Sequence, residues 1–295
     1  MDEKEIVIML LFAKRVVWRI LHFLPHLISL IYVTVSGNRN ASDEYLRSVK
    51  DKYKGQRCFV IGNGPSLTAK DLDKLKGEIT FASNRIYKIF NQTEWRPTYF
   101  TIFDEDLGKS RDVIEGINSF NCEMKFVREE GQYIFGKINA PICYIRSRSS
   151  RKYLDNPKFS ENMVDVTYSI ATVTYISLQL ARHMGFSEIY LLGMDRLYAY
   201  SMLRNGKIVK NNNCKDYFSD KDNQSVSNRE SMPKTAPATW EVDMAYSFAE
   251  KYSREHGFRI YNATRGGTLE VFERVDFDSL FSPEDSENNA PKIDK

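Results

Sequence analysis

Short apolar runs alternate along this chain with segments of helical period, and that alternation predicts a β/α succession. Residues 58–61, 79–83, 99–103, 188–192 and 258–261 read as strands, with weaker ones at 123–127 and 142–145. Near-continuous apolar runs of this length suit a parallel sheet covered on both faces. Residues 68–76 read as a polar helix. Residues 167–185 read as a strong one, with Ile170, Val173, Ile176, Leu180 and Met184 at helical spacing and Gly185 as its stop. Residues 239–255 form another, with Trp240, Met244, Phe248 and Tyr252 at four-residue steps. Residues 270–281 pack a last apolar stretch, and the polar tail, 282–295, is expected to be disordered. The pattern predicts one α/β domain over residues 55–281.

The most hydrophobic segment is residues 5–36. Lys14, Arg15 and Arg19 interrupt it, so it makes a poor membrane span. It opens acidic with its basic residues in the middle, unlike a secretory leader. Arg15, Arg19, His22 and His26 lie four, three and four residues apart, one basic stripe on an apolar helix that Pro25 kinks. With Trp18, Phe23 and Tyr32 at the interface, the segment predicts an amphipathic helix on an anionic membrane surface, at the cytoplasmic face. Packing on its own core or on a second copy of the chain, as a homo-oligomer, is the alternative. Residues 37–54 read as a linker and a short helix, which Ser42 caps.

Composition narrows this picture. The 295 residues are 42% hydrophobic and 13% aromatic, enough for an ordinary packed core. A net charge of +3 gives no reason to invoke nucleic acid as a partner. Cys58, Cys122, Cys143 and Cys214 stand far apart, which disfavours a zinc site or a disulfide framework. Histidine is scarce, and His183, in the last turn of its helix, reads as a dipole or surface residue rather than a catalyst.

The candidate chemistry clusters at strand ends. Between the strand at 58–61 and the helix after it stands Gly62-Asn63-Gly64-Pro65-Ser66. Two glycines let such a turn take unusual dihedrals and present backbone N–H groups to a phosphate or nucleotide. The motif lacks a third glycine and the Gly-Lys-Ser/Thr ending of a P-loop. Three strands in succession end on Asn63, Asn84 and Asp104, and the strand at 188–192 leads to Gly193-Met194-Asp195, with Tyr198 close behind. In a parallel sheet these ends line one crevice. The polar loop at 201–238 has the length of a lid. The turn Asn262-Ala263-Thr264-Arg265-Gly266-Gly267 suits an anionic ligand through Arg265. Arg146, Arg148, Arg151 and Lys152 form a basic patch that reads as a solvated loop, with contact to phosphates or acidic lipid as the alternative.

With the Gly62–Ser66 loop, the helix-strand-G-M-D unit at 169–195 and the N-A-T-R-G-G turn in that order, the chain from 55 to 281 resembles the MptE-like Rossmann family. Archaeal members of that family include 6-hydroxymethylpterin pyrophosphokinases. It is also similar to the related bacterial sialyltransferases of glycosyltransferase family 42. The resemblance implies a Rossmann-like fold and a CMP-linked sugar donor held at Asn63, Gly64, Ser66, Asn84, Ser169, Gly193, Asp195 and Tyr198. The sialyltransferases carry a histidine base in the long loop, whereas here Lys215-Asp216-Tyr217-Phe218 occupies that stretch. Asp216 is then the candidate base, and Tyr217 the candidate partner of the departing phosphate. A pterin kinase would need ATP, Mg²⁺ on carboxylates and a cationic clamp, for which Asp104, Asp195 and Arg265 are the candidates.

The membrane-seeking segment favours a glycosyltransferase of bacterial surface-polysaccharide assembly. Its donor would be a nucleotide-activated sugar, its acceptor a lipid-linked or free oligosaccharide, and no cofactor would be tightly bound. The pyrophosphokinase and a non-catalytic nucleotide-binding scaffold are the alternatives.

Overall fold

The structure, a computed structural model, describes residues 37–129, 138–149, 157–212, 214–219 and 236–281, with single positions between 14 and 35. Arg15, Trp18, Arg19, His22, Phe23, Pro25, His26 and Tyr32, on which the amphipathic expectation rests, lie outside the described residues. So do Arg151, Lys152 and the tail from 282. No helix among the described residues is long and apolar enough to cross a membrane.

Strands β1 (Arg57–Ile61), β2 (Thr80–Ser83), β3 (Tyr99–Ile102), β4 (Met124–Arg128) and β5 (Ile142–Ile145) follow one another across one half of a parallel sheet. A small parallel pair, β6 (Ser147–Ser149) and β7 (Thr167–Ser169), stands apart from it. The chain then returns to the other side of β1 as β8 (Glu188–Leu192), which pairs with β1 along its whole length. The antiparallel hairpin β9 (Tyr200–Met202) and β10 (Ile208–Lys210) comes next. Finally β11 (Arg259–Asn262) and β12 (Glu273–Arg274) extend the sheet beyond β8. The order β12-β11-β8-β1-β2-β3-β4-β5 makes this a doubly wound, Rossmann-like α/β fold whose direction of winding reverses between β1 and β8.

The strands read as apolar runs because helices cover both faces. Cys58 and Val60 point into one core with Phe81, Tyr99 and Phe126. Phe59 and Ile61 point into the other with Ala82, Phe100 and Ile102. Burying each phenylalanine contributes roughly 1.5–3 kcal/mol. Helices α1 (Asn38–Val49), α2 (Ala69–Asp73), α3 (Glu105–Lys109), α4 (Arg111–Asn118), α5 (Thr174–His183) and α6 (Thr239–Glu255) complete the described layers.

Several local expectations need correction. Residues 38–41 belong to α1 rather than to a linker, and Ser42 does not cap it. Ser42 is buried inside the helix, where its hydroxyl accepts the Tyr144 N–H at 2.9 Å and so occupies a donor of edge strand β5. Helix α5 begins at Thr174 rather than 167, because Thr167–Ser169 pairs with Ser147–Ser149 as a strand. His183 is not a surface residue: it is buried, and its Nε2 stands 2.8 Å from the Leu46 carbonyl, tying α5 to α1. Arg146 is not a solvated loop cation either, since it pairs with Asp43 and donates to the Val164 carbonyl at 2.6 Å. The loop at 201–238 contains the β9–β10 hairpin, whose three-residue strands are too short to leave a period in the sequence.

Candidate functional site

The two loops that flank the reversal of winding are bonded to each other. Gly62 N–H donates to the Leu192 carbonyl at 2.7 Å, and Gly64 N–H to the Gly193 carbonyl at 2.9 Å. Ser66 donates to Asp195 Oδ2 twice, from its hydroxyl at 2.8 Å and from its N–H at 3.3 Å. A Cβ on Gly64 would stand 1.9 Å from Asp195 Oδ2, and one on Gly62 would stand 2.3 Å from the Gly193 carbonyl oxygen. Neither residue has a positive φ. The glycines are therefore there for close approach of the second loop, not for unusual dihedrals. The N–H groups of Gly62, Gly64 and Ser66 are committed to that loop, so they do not form the expected phosphate cradle.

Beside this junction lies a cavity of about 570 Å³, within the range of small-molecule sites. Asn63, Gly64, Asn84, Asp104, Ser169, Gly193, Asp195, Tyr198, Asp216 and Tyr217 all line it. Ser66 is not on its wall and acts one bond behind, on Asp195. Arg265 is not on the wall either. It donates to Asp71 at 3.0 Å and to Asp278 at 2.7 Å, and it fastens the C-terminal turn to α2. The two carboxylates that hold Arg265 leave it no role as a clamp on a ligand in the cavity.

The cavity floor is made of strand ends. Asn63 donates from Nδ2 to the Ser83 carbonyl at 3.1 Å, which fixes the amide and leaves Oδ1 buried with no partner. Asn84, held at φ 55°, likewise has a buried Oδ1 without a partner. An orphaned buried carbonyl costs roughly 1–3 kcal/mol, and these two belong to residues of the cavity lining. Asp104 accepts the Leu107 N–H at 3.1 Å, at the start of α3. Asp195 is 5% exposed; burial raises its carboxyl above the usual range, while the two Ser66 bonds pull it down.

One wall is the entry to α5. Ser169, Thr172 and Thr174 bring hydroxyls to it, and Thr172 Oγ1 accepts the Thr174 N–H at 3.3 Å. Val173, at the helix N-cap, gives no capping side chain. The positive end of the helix dipole and Arg128, at the end of β4, thus face the same space. Arg196 also lines it, paired through two bonds with Asp243 of α6. The outer wall is the long loop. Asp216 accepts the Ala199 N–H at 2.5 Å, and Phe218 N–H donates to the Asn63 carbonyl at 3.1 Å, closing the loop over the first one. Burial raises the Tyr198 phenol well above its ordinary value, with Tyr246, Tyr217 and Asp216 adding to the effect, so it stays a hydrogen-bond donor at neutral pH. Among the described residues no group of three or more His, Cys, Asp or Glu side chains is placed to hold a metal ion.

Sequence reasoning missed Arg128, Thr172, Thr174, Arg196 and Tyr246 on this wall. The hydroxyl-rich run Ser169-Ile170-Ala171-Thr172-Val173-Thr174 was the available signal, because polar hydroxyls directly before an apolar helix mark its start.

A family model described as 6-hydroxymethylpterin diphosphokinase MptE-like matches residues 36–201. The match takes in α1 through β8 and every cavity residue up to Tyr198; it ends before Asp216, Tyr217 and Arg265. Among solved structures, the chain is similar to that of the MAf glycosyltransferase from Magnetospirillum magneticum AMB-1, at 14% identity and a TM-score of 0.47. That likeness covers 81% of this chain and 37% of the other, so the chain spans well under half of its length. No curated protein matches the chain.

Proposed function

The chain belongs to the 6-hydroxymethylpterin diphosphokinase MptE-like family, and from that premise we propose that it is a glycosyltransferase using a nucleotide-activated sugar. Family membership supports the coarser statement, a nucleotide-related transferase. The observation behind a nucleotide at this site is the pair of orphaned amide carbonyls, Asn63 Oδ1 and Asn84 Oδ1, at the reversal of winding. The observation behind a sugar as the group transferred is the set of exposed apolar residues ahead of α1, Leu24, Leu27, Ile28, Ile31 and Val35, which suits an acceptor at a lipid surface. In open α/β sheets that crevice is where ligands bind. The exocyclic amine of a base or the hydroxyls of a ribose are donors of the kind those two acceptors lack; a CMP-linked sugar brings both, and so does ATP.

The donor phosphate then lies over the entry to α5, where helix dipole, hydroxyls and Arg128 favour negative charge. The acceptor hydroxyl approaches from the long loop. Asp216 takes its proton as the new glycosidic oxygen–carbon bond forms and the sugar–phosphate bond breaks. The nucleotide leaves with that electron pair, and Tyr198 and Tyr217 offer their phenol protons to its phosphate. The acceptor is a lipid-linked or oligosaccharide chain of surface-polysaccharide assembly, at the inner face of the cell membrane. Support for that location is the exposure of Leu24, Leu27, Ile28, Ile31 and Val35, apolar residues at helical spacing ahead of α1.

The family description favours a second reading, transfer of diphosphate from ATP to a hydroxymethylpterin. Asp104 and Asp195 would then share Mg²⁺, although each already has an oxygen bonded to a neighbour. Titration calorimetry with CMP, CDP, UDP, GDP and ATP, each with and without Mg²⁺, separates the two. CMP binding without metal supports the glycosyltransferase; binding of ATP alone, and only with Mg²⁺, overturns it in favour of the kinase.

A further inference from the structure

We propose that the β9–β10 hairpin is a membrane contact that docks on an anionic lipid surface and turns the cavity mouth toward the bilayer. This deepens the transferase proposed above and rests on it for an acceptor held at a lipid surface. Outside the N-terminal segment, the described residues expose two large apolar side chains, Leu203 (42%) and Tyr217 (37%). Both sit on the stretch of chain that leaves the cavity at Tyr198 and returns to it at Asp216 and Tyr217.

The charge on that stretch is one-sided. Between Tyr198 and Asp216 stand Arg204, Lys207, Lys210 and Lys215, with no aspartate or glutamate. The hairpin thus carries one exposed leucine with Arg204, Lys207 and Lys210 on the same turn and strands, Arg204 lying 5.6 Å from the centre of the Trp240 ring. An exposed apolar side chain among cations suits a headgroup layer of anionic lipid. A soluble anion would use the cations but has no use for an exposed leucine, and that difference decides for lipid.

The hairpin is also tied to the site it would orient. Leu203 N–H donates to the Lys207 carbonyl at 2.8 Å, which closes the tip. At the base, Asn211 N–H donates to the Ala199 carbonyl at 2.8 Å, and Asn211 Nδ2 to the Tyr198 carbonyl at 2.8 Å. Asp216, on the cavity wall, holds the Ala199 N–H from the other side. A surface that receives Leu203 is therefore held in a set relation to the cavity lining at Tyr198 and Asp216.

Hydrogen exchange on the full chain tests this, with phosphatidylcholine vesicles compared with vesicles in which about a third of the lipid is phosphatidylserine. Peptides covering 199–212 are expected to exchange several-fold more slowly on the anionic vesicles only. The triple variant Arg204→Gln, Lys207→Gln, Lys210→Gln should lose that protection and bind these vesicles on the order of 10²-fold more weakly, since each cation near such a surface multiplies affinity about fivefold. CMP titration of the same variant should match the unsubstituted chain. Failure of CMP to bind either protein would count against the transferase and leave the lipid result to be read separately. Unchanged hairpin exchange on anionic vesicles overturns the proposal, whether or not the chain sediments with them. Equal protection by soluble polyphosphate would also overturn it.

Discussion

Ser66 donates its hydroxyl to Asp195 at 2.8 Å across 129 residues of sequence, joining the ends of β1 and β8 where the sheet reverses. That bond faces away from the cavity on the Ser66 side and forms its wall on the Asp195 side. The glycines that precede Ser66 exist to let Gly193 and Asp195 come this near. The first expectation follows from the clearance. Gly64→Ala should destabilise the fold by about 1–3 kcal/mol, the usual range for overpacking, because its methyl would overlap Asp195 Oδ2. Thermal melting checks it; an unchanged midpoint would mean that the two loops are not in contact.

Asn63 and Asn84 are expected to act on ligand rather than on fold. Substituting Asn84 by glycine, which adopts its φ of 55° freely, removes a buried carbonyl that has no partner, so stability should hold or rise slightly. Nucleotide affinity should fall about threefold to tenfold, the worth of one hydrogen bond. Calorimetry beside a thermal melt separates these effects, and loss of fold without loss of affinity in the folded fraction would contradict the assignment.

Asp216→Asn should lower turnover by roughly 10² to 10⁴ while leaving nucleotide affinity within a factor of a few. Asparagine keeps an oxygen to accept the Ala199 N–H, so the loop is preserved while the base is lost. Single-turnover kinetics on a lipid-linked acceptor reads this directly; unaltered turnover would remove Asp216 from the mechanism.

His183 gives the fold a pH dependence of definite sign. Burial is the main reason its pKa lies below the ordinary 6.5. The unfolded chain therefore binds more protons than the folded one between the lowered value and 6.5. Its stabilising contribution is present above pH 6.5 and is lost as pH falls through the lowered value. His183→Gln should flatten that part of the stability curve, since the glutamine amide keeps a donor for the Leu46 carbonyl and does not titrate. Urea unfolding at several pH values below 6.5 is the check.

Much of the frame was legible because parallel strands covered on both faces leave uninterrupted apolar runs, as at Arg57–Ile61 and Glu188–Leu192. The polar residues that close those runs then had to share one end of the sheet. What escaped the sequence depends on partners far along the chain. The glycines at 62 and 64 answer to Gly193 and Asp195, and Arg265 answers to Asp71 and Asp278. The start of α5 escaped for another reason. Thr167–Ser169 continues into an apolar spacing that suits a helix, and only its pairing with Ser147–Ser149 makes it a strand.

Photolabelling with an azido-nucleotide, followed by peptide mapping, tests most directly whether the crevice between β1 and β8 holds the nucleotide. The label is expected on peptides spanning Asn63, Asn84, Ser169–Thr174 or Asp195–Tyr198, and unlabelled CMP should compete it away. Label concentrated around Arg265 and Asp278, or spread without competition, would contradict the account.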